Sequence, residues 1–277
     1  MNRESIETYE QVKVAYESIK SELPFVPKVG LILGSGLGDY AKNIDVIKEI
    51  PYSEIPGFPV STVSGHDGKF IFGYVGEVPI VCMKGRVHYY EGYSVQQVVM
   101  PIRLMGKFGI SILFLTNAAG GMGDGFKAGD LMLIVDQISL FAPNPLIGPN
   151  IDELGVRFPD MSNIYNKELC EIIRQSANNL DIELKEGIYT MDSGPSYESP
   201  ADVRLLKLLG TSAIGMSTVP EAIAANHMGI KVCGLSCITN LASGISEKPL
   251  SHDEVKEAGI LVSNKMSRLV SECIKRF

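Results

Sequence analysis

The chain has 277 residues, of which 45% are hydrophobic and 21% charged, so it can bury a large apolar core and is too apolar to be disordered. Its formal net charge of -7 and the lack of any basic run argue against a nucleic-acid partner or an anionic membrane surface. Five scattered cysteines without a C-x-x-C pair, a polar start without a signal-peptide pattern, and apolar runs too short to span a bilayer predict a cytoplasmic protein.

The hydrophobic periodicity predicts strands that alternate with helices along the chain. In chain order these are a helix over 4–20, a strand over 29–33, a hairpin of 69–75 and 78–83, a helix over 95–108, strands over 112–116 and 131–135, a helix over 166–179, a strand over 184–190, a helix over 201–209, a strand over 212–216, a helix over 218–228, a strand over 230–238 and a helix over 252–275. This alternation predicts one α/β domain over 1–277, with a mixed, mostly parallel central sheet flanked by helices. Such sheets bind ligands in the loops that follow the strand ends.

The first of these loops is the glycine-rich turn GSGLG, residues 34–38. Its glycines lack the G-x-G-x-x-G spacing of a dinucleotide fingerprint, and no G-K-[ST] follows as in a Walker loop, so neither cofactor class is expected. A turn of this kind can present backbone N–H groups and the Ser35 hydroxyl to an anion. An ordinary tight turn is the alternative.

The loop after the hairpin, GRVHYYEGYS, adds a fixed cation and a titratable group. Arg86 can grip a phosphate or a carboxylate with two donors. His88 would share a face with Arg86 if the segment is extended, and Glu91 could orient His88 or receive a proton. A surface loop with a salt bridge is the alternative.

Three further loops offer small, capping or aromatic residues. The predicted turn NAAGGMGDG begins at Asn117, directly after a strand, and its small residues let the backbone approach a ligand closely. GMSTVPE places Ser217 at the predicted N-cap of a helix, and helix N-termini favour anions. GPSYE presents Tyr197 beside Glu198, which suits a planar base that needs a stacking face and a hydrogen-bond acceptor.

Only four histidines occur, and His227, inside a predicted helix, is interpreted as structural. The spacing of the other three matches no metal signature, so a metal site is not expected.

Taken together, these segments resemble the trimeric class of purine nucleoside phosphorylases. The resemblance runs from about residue 5 to the C-terminus and rests on nine collinear segments: LILGSGLG, PGFP, SGH, KGRVHYYEGY, TNAAGG, FPDMS, GPSYE, GMSTVPE and CITN. Each segment alone is weak evidence, whereas their shared order and spacing are specific.

The resemblance implies a role for each matching residue. For phosphate, these are Ser35, His66, Arg86, His88, Ala118 and Ser217. For the nucleoside, they are Tyr90 and Met216 at the ribose, His252 near its 5′-hydroxyl, Tyr197, Glu198 and Asn240 at the base, and Phe158 reaching into the site of a neighbouring subunit. Among them, His88, Glu198 and Asn240 would carry the catalytic roles. A homotrimer is implied, and inorganic phosphate is a co-substrate with no cofactor.

The implied reaction is attack of phosphate on the anomeric carbon of a purine nucleoside in purine salvage, through an oxocarbenium-like state. Catalysis is then positioning and charge stabilisation, because phosphate itself is the nucleophile. Asn240 can donate to N7 of the departing base, and Glu198 can accept from N1–H of hypoxanthine or guanine. Adenine has a lone pair at N1, so inosine, guanosine and their 2′-deoxy forms are the expected substrates.

Two alternatives remain. Methylthioadenosine phosphorylase shares the phosphate side, but that family uses aspartates at the base, where this chain has Glu198 and Asn240. A non-catalytic nucleoside-binding protein on the same fold is the other, since fold does not fix function.

Overall fold

The computed structural model describes residues 4–62, 68–245 and 252–277, with the backbone alone for 252–261. The helices in this part of the chain are α1 Glu4–Ile19, α2 Val95–Phe108, α3 Lys167–Asn179, α4 Pro200–Leu208, α5 Val219–His227 and α6 His252–Arg276. The strands are β1 Val29–Ile32, β2 Asp45–Pro51, β3 Lys69–Val75, β4 Val78–Lys84, β5 Ile112–Gly121, β6 Leu131–Ile138, β7 Leu184–Met191, β8 Thr211–Gly215 and β9 Lys231–Leu241.

The described strands form one sheet in the order β2-β3-β4-β1-β5-β8-β7-β6-β9. Strand β9 also pairs with β5, so five strands (β5, β8, β7, β6 and β9) close into a ring, and the other four extend from it through β1. The pairings β1–β4, β1–β5, β5–β9, β6–β7 and β7–β8 are parallel, whereas β2–β3, β3–β4, β5–β8 and β6–β9 are antiparallel. The expected mixed, mostly parallel α/β sheet is confirmed.

Helices cover the sheet and complete the core. All four residues of β1 are buried, as is usual for a strand covered on both faces. The rings of Phe70 and Phe72 meet that of Phe108 edge-on, at centroid distances of 5.5 and 5.4 Å, which anchors α2 against the β3–β4 hairpin. In the described residues, no helix is long and apolar enough to cross a membrane.

The predicted hairpin and most helix and strand bounds are confirmed to within two residues. Strand β2 was not expected, because its exposed polar residues and Pro51 give no apolar alternation; its antiparallel pairing with β3 makes it an edge strand.

Three predicted strand ends were also wrong. Strand β6 continues to Ile138, β5 to Gly121 and β9 to Leu241, so the predicted turn at Asn117 and the predicted loop at Asn240 are both strand. The parallel pairing of β5 with β9 extends both strands beyond their predicted ends, with a register shift between Ala119 and Gly120.

The turn after β1 offers a stability test. A Cβ at Gly34 would lie 2.6 Å from Cα of Asn117, whereas at Gly38 it would meet only the flexible end of Lys84, at 3.5 Å. We expect Gly34→Ala to lower the free energy of unfolding by about 1–3 kcal/mol, because backbone must move, and Gly38→Ala to change it by less than about 0.5 kcal/mol. Denaturant unfolding measures both, and equal effects would contradict this contact.

Candidate active site

One cavity lies at the carboxyl ends of β1, β4, β5, β7, β8 and β9. Its lining contains ten residues that the sequence singled out: Ser35, Arg86, His88, Tyr90, Ala118, Tyr197, Glu198, Met216, Ser217 and Asn240. It also contains Ala119, Gly120, Asp192, Ile214, Gly215 and Thr239. Segments more than 200 residues apart in sequence thus converge where an α/β sheet places its ligands.

The glycine-rich turn forms one wall of this cavity. Gly36 has a φ of 77°, a conformation that glycine adopts without strain, and the N–H of Leu37 donates to the carbonyl of Gly34 at 3.1 Å. The N–H of Gly34 donates to Oγ1 of Thr116 at 3.1 Å, which ties the turn to β5. The turn therefore carries Ser35 into the lining of the cavity.

Arg86 is held by a carboxylate from another element. Its Nε donates to Oε1 of Glu221 at 2.9 Å, and its Nη1 donates to Oγ of Ser217 at 3.1 Å. Arg86 and Glu221 are each 1% exposed, so this is a buried ion pair. The sequence reading did not single out Glu221, although the T-x-x-E spacing of a capping box marks it.

The residue that caps α5 is Thr218, and the prediction that Ser217 does so was wrong. Thr218 has a φ of 79°, which a β-branched residue rarely adopts. Its N–H donates to Oε2 of Glu221 at 2.7 Å, and its Oγ1 accepts from Nδ2 of Asn117 at 2.9 Å. Ser217 precedes the helix instead, and it lines the cavity.

His88 is oriented by Glu91, as the sequence suggested. Its Nδ1 lies 3.0 Å from Oε1 of Glu91, and its backbone N–H donates to the same oxygen at 2.7 Å. A carboxylate accepts hydrogen bonds, so Nδ1 carries the proton. The imidazole also stacks on Tyr90, with ring centroids 4.8 Å apart and an interplanar angle of 17°.

The Glu91 carboxylate connects two loops through hydrogen bonds. Besides His88, it accepts from the backbone N–H and the hydroxyl of Thr62 and from the hydroxyl of Ser61. Burial alone would favour the neutral acid, but these hydrogen bonds stabilise the anion more strongly and lower the pKa of Glu91 to about 2.

Glu198 and Asn240 line the same cavity as the phosphate-side residues. Oε1 of Glu198 accepts from the backbone N–H of Ser243 at 3.1 Å. The Asn240 amide accepts at Oδ1 from the hydroxyl of Thr239, at 2.9 Å, and donates from Nδ2 to the carbonyl of Leu241, at 3.0 Å. These contacts hold Glu198 in the loop before α4 and Asn240 at the carboxyl end of β9.

Of the predicted site residues whose side chains the structure describes, Phe158 alone is not part of this lining. Phe158 is 86% exposed, with the Arg157 guanidinium 5.5 Å from its ring centroid. His66 lies outside the described residues. His252 begins α6, and its side chain lies outside them too.

His227, interpreted as structural, is buried with Nε2 3.0 Å from the carbonyl of Val156. Asp192 lines the cavity although the sequence reading passed over it, because it adjoins GPSYE without being part of that motif. In the described part of the chain, His, Cys, Asp and Glu form no cluster of three or more that could hold a metal.

Comparison with known proteins identifies the family of this chain. Residues 28–275 match the model of the phosphorylase superfamily. Purine nucleoside phosphorylase 1 of Bacillus subtilis is 48% identical over 268 residues, covering 97% of this chain and 99% of the relative. Purine nucleoside phosphorylase of Rattus norvegicus is 42% identical over 275 residues, with coverages of 95% and 94%.

Solved structures agree with the sequence relatives. Purine nucleoside phosphorylase of Schistosoma mansoni in complex with adenosine superimposes with a TM-score of 0.91 at 37% identity, over 97% of each chain. A schistosoma purine nucleoside phosphorylase in complex with hypoxanthine gives the same values. The fold is thus that of the phosphorylase superfamily. Within that superfamily, the chain belongs to the purine nucleoside phosphorylases.

The lowered pKa of Glu91 predicts how its contribution depends on pH. A carboxylate whose folded pKa lies below its ordinary value of 4.5 stabilises the protein above pH 4.5, and this stabilisation is lost as the pH falls toward 2. We expect Glu91→Gln to lower the free energy of unfolding at pH 7, and the gap between parent and variant to narrow between pH 5 and pH 2. Denaturant titrations at several pH values measure the gap. A gap that stays constant over this range would contradict the assignment.

Proposed function

We propose that this chain cleaves inosine, guanosine and their 2′-deoxy forms with inorganic phosphate, releasing the free purine base and (deoxy)ribose 1-phosphate. The observation that carries the proposal is the presence of two groups of side chains in one cavity. Ser35, Arg86, His88 and Ser217 suit an anion, and Glu198 with Asn240 suits a purine with an N1–H.

On the phosphate side, other residues of the protein hold the donors. The Nη1 of Arg86 and the hydroxyl of Ser217 are in contact, and His88 is held by Glu91. Preorganised donors lose little entropy on binding and hold the phosphate oxygens in place. The phosphate anion, as nucleophile, then faces the cationic sugar as the glycosidic bond breaks, and no covalent enzyme intermediate is needed. We propose that the Ala118 N–H and His66 complete this group.

On the nucleoside side, we propose that Tyr90, Met216 and His252 contact the ribose and that Tyr197 packs on the base. The leaving purine gathers negative charge at N7, which the Asn240 amide stabilises by donating a hydrogen bond. Glu198 accepts the N1–H of a 6-oxopurine. Adenine presents a lone pair at N1, which faces the carboxylate unfavourably, so adenosine is a poor substrate.

The assembly is proposed to be a homotrimer in the cytoplasm, with Phe158 of one subunit reaching the site of its neighbour. The 86% exposure of the Phe158 ring is consistent with this, since it leaves the ring accessible to a second subunit. Inorganic phosphate is the co-substrate, and no cofactor or metal takes part in the proposed reaction.

A coupled assay tests the activity directly. Hypoxanthine released from inosine is converted to uric acid by xanthine oxidase, and we expect this signal to require phosphate. Methylthioadenosine and adenosine are assayed in parallel for phosphate-dependent release of adenine. Faster cleavage of methylthioadenosine than of inosine would favour the alternative phosphorylase, and binding of inosine without phosphate-dependent cleavage would favour a binding protein.

The base contact is tested by Glu198→Gln, which replaces the carboxylate that accepts from N1–H with a neutral amide whose NH₂ group can donate to the N1 lone pair of adenine. We expect the ratio of kcat/KM for inosine to that for adenosine to fall by about 10²-fold or more, with the KM for phosphate changed less than about threefold. Asp192→Asn, which removes a different carboxylate of the same cavity, is the matched control. If Asp192→Asn lowers the ratio equally, or Glu198→Gln leaves it unchanged, the assignment to Glu198 is wrong.

A further inference from the structure

Glu221 is absent from the residues that line the cavity, yet it holds two parts of that lining at once. We propose that it is the positioning residue of the phosphate site, acting through Arg86 and through the turn that carries Ser217. This inference rests on the proposed phosphate-binding role of those two residues. Glu221 itself touches neither phosphate nor nucleoside in this scheme.

The two carboxylate oxygens of Glu221 have separate tasks. Oε1 accepts from Nε of Arg86 at 2.9 Å, and Oε2 accepts from the backbone N–H of Thr218 at 2.7 Å. Arg86 and Glu221 are each 1% exposed and Thr218 is 0% exposed, so water competes little with either hydrogen bond. A single rigid group therefore sets the distance between the guanidinium and the start of α5.

The first task fixes which edge of the guanidinium meets the cavity. Because Nε is occupied by Glu221, the Nη atoms are at the other end of the group, and Nη1 reaches Oγ of Ser217 at 3.1 Å. Arg86 and Ser217 both line the cavity, so their contact lies at its wall. The carboxylate also compensates the charge of a buried cation, which would otherwise be costly to keep in this place.

The second task of Glu221, accepting from the N–H of Thr218, stabilises a strained turn. Thr218 adopts φ 79° and ψ -49°, outside the regions open to β-branched residues, so surrounding contacts must maintain it. The N–H of Thr218 donates to Glu221 in α5, and Oγ1 of Thr218 accepts from Asn117 in β5 at 2.9 Å. The turn of the chain at Thr218 leaves Met216 and Ser217 in the cavity lining before the helix begins.

The geometry requires a carboxylate rather than an amide. Two N–H donors, from Arg86 and Thr218, point at the two oxygens of Glu221, and a glutamine in the same place has only one oxygen. Its NH₂ group would face one of the donors, so that donor would lose its acceptor and its part of the phosphate site would be released. Glu221→Gln thus changes the site while keeping the shape of the side chain.

Steady-state kinetics of Glu221→Gln test the proposal. We expect the KM for phosphate to rise at least 10-fold and kcat to fall, while the KM for inosine changes less than threefold. The matched control is Glu186→Gln, which breaks another ion pair: Glu186 accepts from Nε and Nη2 of Arg174, at 2.7 and 2.8 Å, and both residues are partly exposed outside the cavity. It should leave both KM values unchanged.

A phosphate titration by calorimetry, without nucleoside, separates this inference from the proposed activity. Weaker phosphate binding by Glu221→Gln than by the parent supports the positioning role, whether or not the parent cleaves nucleosides. Failure of the parent to cleave any nucleoside would refute only the proposed activity. Should the variant not fold, Glu221→Asp keeps the charge but is one methylene too short to span both donors. The same selective loss of phosphate affinity is expected for it.

The double variant Arg86→Gln/Glu221→Gln asks whether Glu221 acts through Arg86. The loss of phosphate-binding free energy in the double variant should be close to the loss in Arg86→Gln alone. It should be smaller than the sum of the losses in the two single variants. Full additivity would overturn the proposal, and so would equal rises in both KM values or unchanged phosphate binding in a folded Glu221 variant.

Discussion

The pairing of β9 with both β5 and β6 is the constraint on which the site depends. It closes five strands into a ring, and its parallel ladder with β5 continues to Gly120 opposite Asn240 and Gly121 opposite Leu241. A Cβ at Gly120 would lie 3.3 Å from Nδ2 of Asn240, so the absence of a side chain there leaves room for the amide. The register of one strand pair thus places Asn240 beside the phosphate-side loops.

The site itself is built on anchored loop segments. Arg86 is held by Glu221, His88 by Glu91, and Glu198 by the backbone N–H of Ser243. In each case a side chain with a proposed role is held by a neighbour that contributes a hydrogen bond and no contact of its own in the proposed reaction. This arrangement suits a reaction in which phosphate is the nucleophile, since the protein then contributes mainly position and charge.

The elements that the sequence located well are those with strong local signals. The helices and the β3–β4 hairpin have clear periodicity or turn residues, and local preferences are enough to predict them. The errors fall where pairing between distant strands overrides local preference. Asn117 and Asn240 look like loop residues by composition, yet the β5–β9 ladder extends through both. The charged edge strand β2 exists because β3 offers it a partner.

By itself, the sequence determined the family through nine collinear motifs. The same motifs specified the residue types of the proposed site, because each motif contains the side chains of one segment of it. Tertiary structure alone decided that ten of those residues line one cavity, and that Thr218 rather than Ser217 caps α5. It also decided that Glu221 holds Arg86 across 135 residues of sequence. The reason is physical: a motif specifies which groups are present, whereas a buried ion pair and a strained turn depend on contacts between elements that only packing brings together.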